Sequence, residues 1–310
     1  MWLKRIRFLM ILAALVVGGS WVYNHVVSKT DKTSTVASQS QSYEETAASA
    51  GNSNNVKKLD LNPIKSELQN YISGFTGKYG IYYYNLISGE EFGINEDTQF
   101  DAASTTKVPL NLYLYQKIKS GDVNEDDKLA YTREDDATGT GDIQYQKFGT
   151  EYSVKELSKL SITASDNVAA NMLFRLLGRD NVKDYMRQVG GKVVDDEDNI
   201  SSPKDLGLYM KLVYDFYLNE GSLGEELMDN FLKTEFNDRI PALLPDTVKV
   251  AHKIGTQIRV FNDVAIIFTD TPYVLAVMSD QIDEDQGANV IAAISKKIYD
   301  FTTSGPKNSK

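Results

Sequence analysis

The chain has no cysteine among its 310 residues. Disulfides, thiolate nucleophiles, zinc–thiolate sites and lipid anchors on cysteine are therefore excluded. Histidine is nearly as scarce, with only His25 and His252 present. Two histidines supply metal catalysis poorly and no H-E-x-x-H pair occurs, so neither metal nor cofactor is expected. A Ser-His-Asp triad would have to use His252, which directly precedes Lys253 in a strand-like run. Positive charge is also short: 33 Lys and Arg stand against 43 Asp and Glu, a formal net charge of −10. Such an acidic balance argues against nucleic-acid binding, which needs clustered cations. The G-T-G at 139–141 reads as a loop rather than a phosphate cradle. What remains is serine chemistry with lysine as the base.

What is present starts with the N-terminus. Lys4, Arg5 and Arg7 precede an apolar run from Phe8 to Tyr23, which His25, Val26 and Val27 can extend. A basic flank before such a run reads as a single-pass membrane anchor or a secretory signal. No A-x-A site follows, which favours the uncleaved anchor, with the rest of the chain outside the cell. Residues 28–57 are rich in Ser, Thr, Asn, Gln and Ala, cannot bury enough surface to fold, and read as a flexible tether. The boundaries are thus 1–27 anchor, 28–57 linker, 58–304 folded domain and 305–310 tail. The folded domain shows no internal repeat and is expected to be a monomer.

Within it, Asn62 and Pro63 open a helix with an apolar stripe through Ile64, Leu68 and Tyr71. Tyr79–Leu86 and Phe92–Ile94 read as a β-hairpin across Ser88-Gly89. Helices are expected at Val108–Lys119, Val154–Leu160, Asn167–Leu177, Val182–Val189, Pro203–Tyr217 and Glu225–Thr234. Strand patterns return at Val248–Lys253, Phe261–Phe268 and Tyr273–Ser279, and a helix over Ala288–Phe301 closes the domain. Strands at both ends of a helical middle predict an α+β fold, with one antiparallel sheet assembled from distant segments.

Three short stretches carry the chemistry. In S-T-T-K, Ser104 and Lys107 share a helix face if a helix starts there, which sets a nucleophile beside its own base. Pro109 opposes an early helix start, since it removes the hydrogen bond to Thr105. Ser165-Asp166-Asn167 falls in the break before a helix, where it also reads as an ordinary N-cap cluster. Lys253-Ile254-Gly255-Thr256 lies where a predicted strand passes into a turn.

Together and in this order, these stretches resemble the S-x-x-K, S-D-N and K-T-G motifs of the class A β-lactamases and penicillin-binding proteins. G-I-Y-Y-Y-N-L, S-D-N-V-A-A-N-M-L, S-S-P-K-D-L and F-N-D-V-A-I-I are similar to the framework of that family, over about residues 59 to 301. The resemblance implies a β-lactamase/transpeptidase-like fold and a serine hydrolase acylated at Ser104 by a β-lactam or a D-Ala-D-Ala cell-wall peptide. It implies Lys107 as base or electrostatic partner, Ser165 as proton relay and Lys253 as the group holding its potential. Asn167 would bind the acylamido chain, Asp166 would hold the loop, and the N–H groups of Ser104 and Thr256, flanking Gly255, would form the oxyanion hole. Two departures stand out. Ile254 replaces a hydroxyl that meets the substrate carboxylate, leaving Thr256 or Arg259 to compensate. No E-x-x-L-N loop occurs; K-V-V-D-D-E-D-N-I-S-S, with Glu197, stands in a shorter stretch between Gly191 and Pro203. Slow deacylation is expected, with a cell-wall peptidase or a non-catalytic binding module as alternatives.

Overall fold

The computed structural model describes residues 58–304. The expected anchor, linker and tail lie outside them, and no helix among the described residues is long and apolar enough to cross a membrane. Five strands form an antiparallel sheet in the order β2-β1-β9-β8-β7. They are β1 (Lys78–Asn85), β2 (Glu91–Ile94), β7 (Lys249–Gln257), β8 (Val260–Phe268) and β9 (Tyr273–Asp280). The hairpin from the start of the domain joins the late strands through β1 and β9, with Tyr79 opposite Ser279.

Both faces of this sheet are covered, which explains why β8 and β9 read as almost unbroken apolar runs rather than alternating ones. Ile81, Tyr83, Leu275 and Val277 pack beneath α1 (Asn62–Ile72) and α8 (Glu284–Thr303). Tyr82, Val264, Ala276 and Met278 point the other way, into a core shared with the helical middle. That middle comprises α2 (Lys107–Ser120), α3 (Val154–Thr163), α4 (Asn167–Leu177), α5 (Arg179–Gln188), α6 (Pro203–Asn219) and α7 (Gly221–Leu232). Their starts follow local chemistry. The Ser153 and Ser202 hydroxyls accept from the N–H groups of Glu156 and Asp205, and Pro203 opens α6.

Several boundaries differ from expectation. α5, α7 and α8 begin three to four residues earlier than their apolar stripes suggest. α8 is capped by Asp283, which accepts the Asp285 N–H, and the first turns of α5 and α7 are polar or glycine-rich, so each apolar stripe starts late. Two ribbons, β3 (Phe100–Asp101) with β6 (Ile200–Ser201) and β4 (Lys128–Ala130) with β5 (Glu151–Ser153), are too short to leave a pattern. The conflict at Pro109 disappears. Residues Ala103–Thr106 form a 3-10 turn and α2 proper starts at Lys107, so Pro109 sits in the first turn, where N–H groups lack helical partners anyway.

Candidate active site

The three motifs converge on one cavity of about 1220 Å3 between the edge strand β7 and the helical middle. Ser104 sits in the 3-10 turn ahead of α2. The preceding Ala103 has φ 46°, a left-handed conformation that disfavours a residue with a Cβ. The Asp101 carboxylate holds it there by accepting the Ala103 N–H at 2.8 Å. Asn262 on β8 anchors this segment in turn, donating to the Asp101 carbonyl at 2.8 Å. Ser165 is likewise left-handed, at φ 54°. Strain of this kind persists only where surrounding contacts impose it, and it gathers at functional sites.

Asp166 supplies those contacts around Ser165. Its carboxylate caps α4 through the Ala169 N–H at 2.8 Å and accepts the Ile143 N–H at 3.0 Å, tying the 138–145 loop down. Asn111 fixes α2 against α3, donating to the Lys107 carbonyl at 2.8 Å and to Ser161 Oγ at 3.0 Å.

Lys107 lies at the centre. Its Nζ is 3.1 Å from Ser104 Oγ, 2.6 Å from the Ser165 carbonyl, 3.2 Å from Ser165 Oγ and 2.8 Å from Asn167 Oδ1. Burial pulls the Lys107 amine down to about 7, with Asp166 opposing part of the shift. Lys253 is fully buried and reaches Ser165 Oγ at 2.9 Å and the Ile254 carbonyl at 3.0 Å. Burial, and after it the nearby Lys107 charge, push the Lys253 amine well below its ordinary value. Ser165 Oγ therefore bridges two amines.

Lys253, Ile254, Gly255 and Thr256 all lie inside β7, whereas the sequence suggested that the strand ends at Lys253. The strand runs on because its pairing with β8 continues to Gln257 opposite Val260. The glycine is required by the close approach of β7 to the serine turn. A Cβ at Gly255 would stand 2.7 Å from the Ala102 carbonyl oxygen and 3.1 Å from the Ser104 nitrogen. As the edge strand, β7 leaves alternate N–H groups without a strand partner on this side.

One cavity residue was not anticipated from the sequence, and one candidate lies elsewhere. Arg239, in the irregular segment before β7, is buried and lines the cavity. It donates to the Gly255 and Asn262 carbonyls at 2.8 and 2.7 Å and to Thr256 Oγ1 at 2.5 Å. Because Thr256 Oγ accepts from Arg239, its own O–H is free to donate into the cavity. Arg259, close to the motif in sequence, sits in the β7–β8 turn with φ 58° and donates to the Gln281 and Ile282 carbonyls instead. No periodicity marks Arg239, and sequence proximity singled out Arg259, which does not line the cavity.

His252 forms no triad with Ser104. Its Nδ1 is 3.0 Å from Asp263 Oδ1 and its Nε2 is 3.3 Å from Asn237 Oδ1, a buried brace behind β7. Glu197 is exposed and does not line the cavity; from its loop, Asp198, Asn199 and Ile200 do. Among the described residues there is no cluster suited to a metal ion.

Comparison with known proteins now bears on this geometry. Residues 63–302 match the model of the beta-lactamase enzyme family. The chain belongs to that family. It is 28% identical over 263 residues to a beta-lactamase of Bacillus licheniformis, covering 78% of this chain and 85% of the relative. Beta-lactamase ROB-1 of Haemophilus influenzae is 26% identical over 263 residues, covering 76% of this chain and 83% of the relative. Among solved structures, PBP-A superposes with a TM-score of 0.75 at 26% identity, covering 79% of this chain and 97% of its own. A beta-lactamase from Sphaerobacter thermophilus gives 0.71 at 25% identity, covering 80% and 100%. The fold is accordingly β-lactamase/transpeptidase-like, and the protein is a β-lactamase-like serine hydrolase.

Proposed function

We propose that this hydrolase forms an acyl-enzyme at Ser104 with β-lactams or with D-Ala-D-Ala peptides of related shape, and releases the acyl group slowly. The observation that carries this reading is the setting of Lys107. Four acceptors surround an amine that holds three protons when charged and two when neutral. The neutral amine gives its two N–H bonds to the nearest acceptors, the Ser165 carbonyl and Asn167 Oδ1. Its lone pair is then left for Ser104 Oγ, and a depressed affinity for protons keeps that form populated near neutrality.

Ser104 Oγ attacks the carbonyl as Lys107 takes its proton. The tetrahedral oxyanion is met by the N–H groups of Ser104 and Thr256, beside Gly255. Collapse breaks the C–N bond, and the proton passes from Lys107 through Ser165 Oγ to the leaving nitrogen. Lys253 holds Ser165 Oγ in position through its hydrogen bond. Asn167 receives the acylamido chain. Thr256 O–H and the Arg239 behind it receive the substrate carboxylate. Capture of a PBP-A mutant as an acyl-enzyme with penicillin G supports this chemistry for a relative of the same fold. A fluorescent penicillin is expected to label the wild type stoichiometrically and to leave Ser104→Ala unlabelled. Undiminished labelling of the variant would place the nucleophile elsewhere.

Ile254 lines the cavity next to Thr256. A hydroxyl there adds one charge-assisted hydrogen bond to a carboxylate, worth about 1.5–3 kcal/mol. Ile254→Thr is therefore expected to speed acylation by penicillin about 10- to 100-fold. A flat or reduced rate would mean that Thr256 and Arg239 already saturate the carboxylate.

A further inference from the structure

The cavity does not end at the reacting groups. Asn167, Ala170, Asn171 and Phe174 are spaced by three, four and seven residues along α4, and all four line it. This face of α4 therefore forms a groove that leads from Asn167 to Phe174, about 10 Å at 1.5 Å per residue. Arg179 follows immediately after the Gly178 turn, and its guanidinium lies over the Phe174 ring at 4.3 Å. Its neighbours Arg175 and Arg187 are neutralised by Asp135 and Asp196. Arg179 is exposed, lines the cavity and has no such ion pair among the described residues. The opposite wall is held in place rather than loose. Lys183, buried in α5, donates to the Asp198 carbonyl at 2.6 Å, and Asn199 accepts the Ala102 N–H at 2.7 Å.

We infer that this groove is a subsite for the acyl side of the substrate, and that Arg179 at its far end binds a carboxylate carried there. The inference rests on the assignment of Asn167 to the acylamido chain, because the groove continues from that residue. A guanidinium stacked on an aromatic face keeps its edge N–H groups free and pre-oriented, the arrangement that suits a planar carboxylate. An extended chain covers about 3.3–3.6 Å per residue, so roughly three residues bridge the distance. The favoured acyl donor is thus a peptide with an acidic group about three residues beyond the scissile carbonyl. Asp198 also lines the cavity, and its carboxylate would favour an ammonium group instead.

Three penicillins with equally long side chains on the 6-amino group test this in the full-length protein: succinyl-Gly-Gly, its neutral succinamoyl counterpart and β-alanyl-Gly-Gly. Acylation rates are read by intact mass. The carboxylate-terminated donor is expected to react about tenfold faster than the neutral one, the gain of a charge-assisted bidentate contact. In Arg179→Gln the ratio of the two rates is expected to fall to about one, and in Arg179→Glu below it. Lys159→Gln, which removes an exposed positive charge elsewhere, is expected to keep the wild-type ratio. Equal rates in the wild type, a ratio that survives Arg179→Gln, or a preference for the ammonium-terminated donor would overturn the assignment while leaving Ser104 acylation intact. Failure of all three donors to acylate would overturn the acylation reading itself.

Discussion

Ring opening of penicillin is expected to show a burst of about one equivalent, followed by slow turnover with an adduct stable enough to isolate. An acyl-enzyme is an ester, and a positioned base typically speeds its hydrolysis about 10²–10⁴-fold. No carboxylate of the acidic run after α5 is hydrogen-bonded to Ser104 or Lys107, and of Asp195, Asp196, Glu197 and Asp198 only Asp198 lines the cavity. Asp195 accepts the N–H groups of Glu197 and Asp198, and Asp196 pairs with Arg187. Asp205 holds the N–H groups of Lys192 and Val193. Among the described residues no carboxylate is hydrogen-bonded to the Lys107 amine, whose partners are Ser104, Ser165 and Asn167. Glu197→Gln is therefore expected to leave both phases unchanged. Wild-type turnover at about 10 s⁻¹ or faster, abolished by Asp198→Asn, would show that the loop provides a working base after all.

Lys107→Arg separates a base from a mere positive charge. Arginine keeps the charge but cannot give up a proton near neutrality. If Lys107 takes the Ser104 proton, the variant should acylate about 10²–10⁴-fold more slowly. If it acts only through its charge, most of the rate should remain. The wild-type profile follows from the same group. Protonated Lys107 has no lone pair, so the acylation rate should fall about tenfold per pH unit below its value of about 7 and level off above it. A rate independent of pH between 5 and 9 would exclude this amine as the base. The readout is the second-order acylation constant, which does not depend on how slowly the ester is lost.

How much of this was legible in sequence varies with the physical basis of each feature. The helices α3, α4 and α6 carry caps and stripes that are local, so they read well. The sheet also read well, because β8 and β9 are buried on both faces and β1 bears the same aromatic and branched content. Ser104, Lys107, Ser165 and Lys253 were legible as short motifs, and the structure joins all four in one hydrogen-bonded cluster. Ile254 was legible as a departure. Arg239 was not, since its role depends on an irregular segment folding back over β7, a contact with no local signature. The end of β7 was misjudged for a related reason. Gly255 resembles a turn residue in sequence, whereas here it allows the edge strand to approach the Ala102 carbonyl. The groove along α4 emerged only from which of its residues line the cavity.

The most direct test of acylation at Ser104 is tandem mass spectrometry of the penicillin-treated, protease-digested protein. The penicilloyl group is expected on Ser104 alone, in the peptide that contains Ser104-Thr105-Thr106-Lys107, at up to one group per chain. An adduct on Ser165 or another residue, or no adduct from penicillin and from activated D-Ala esters alike, would contradict it.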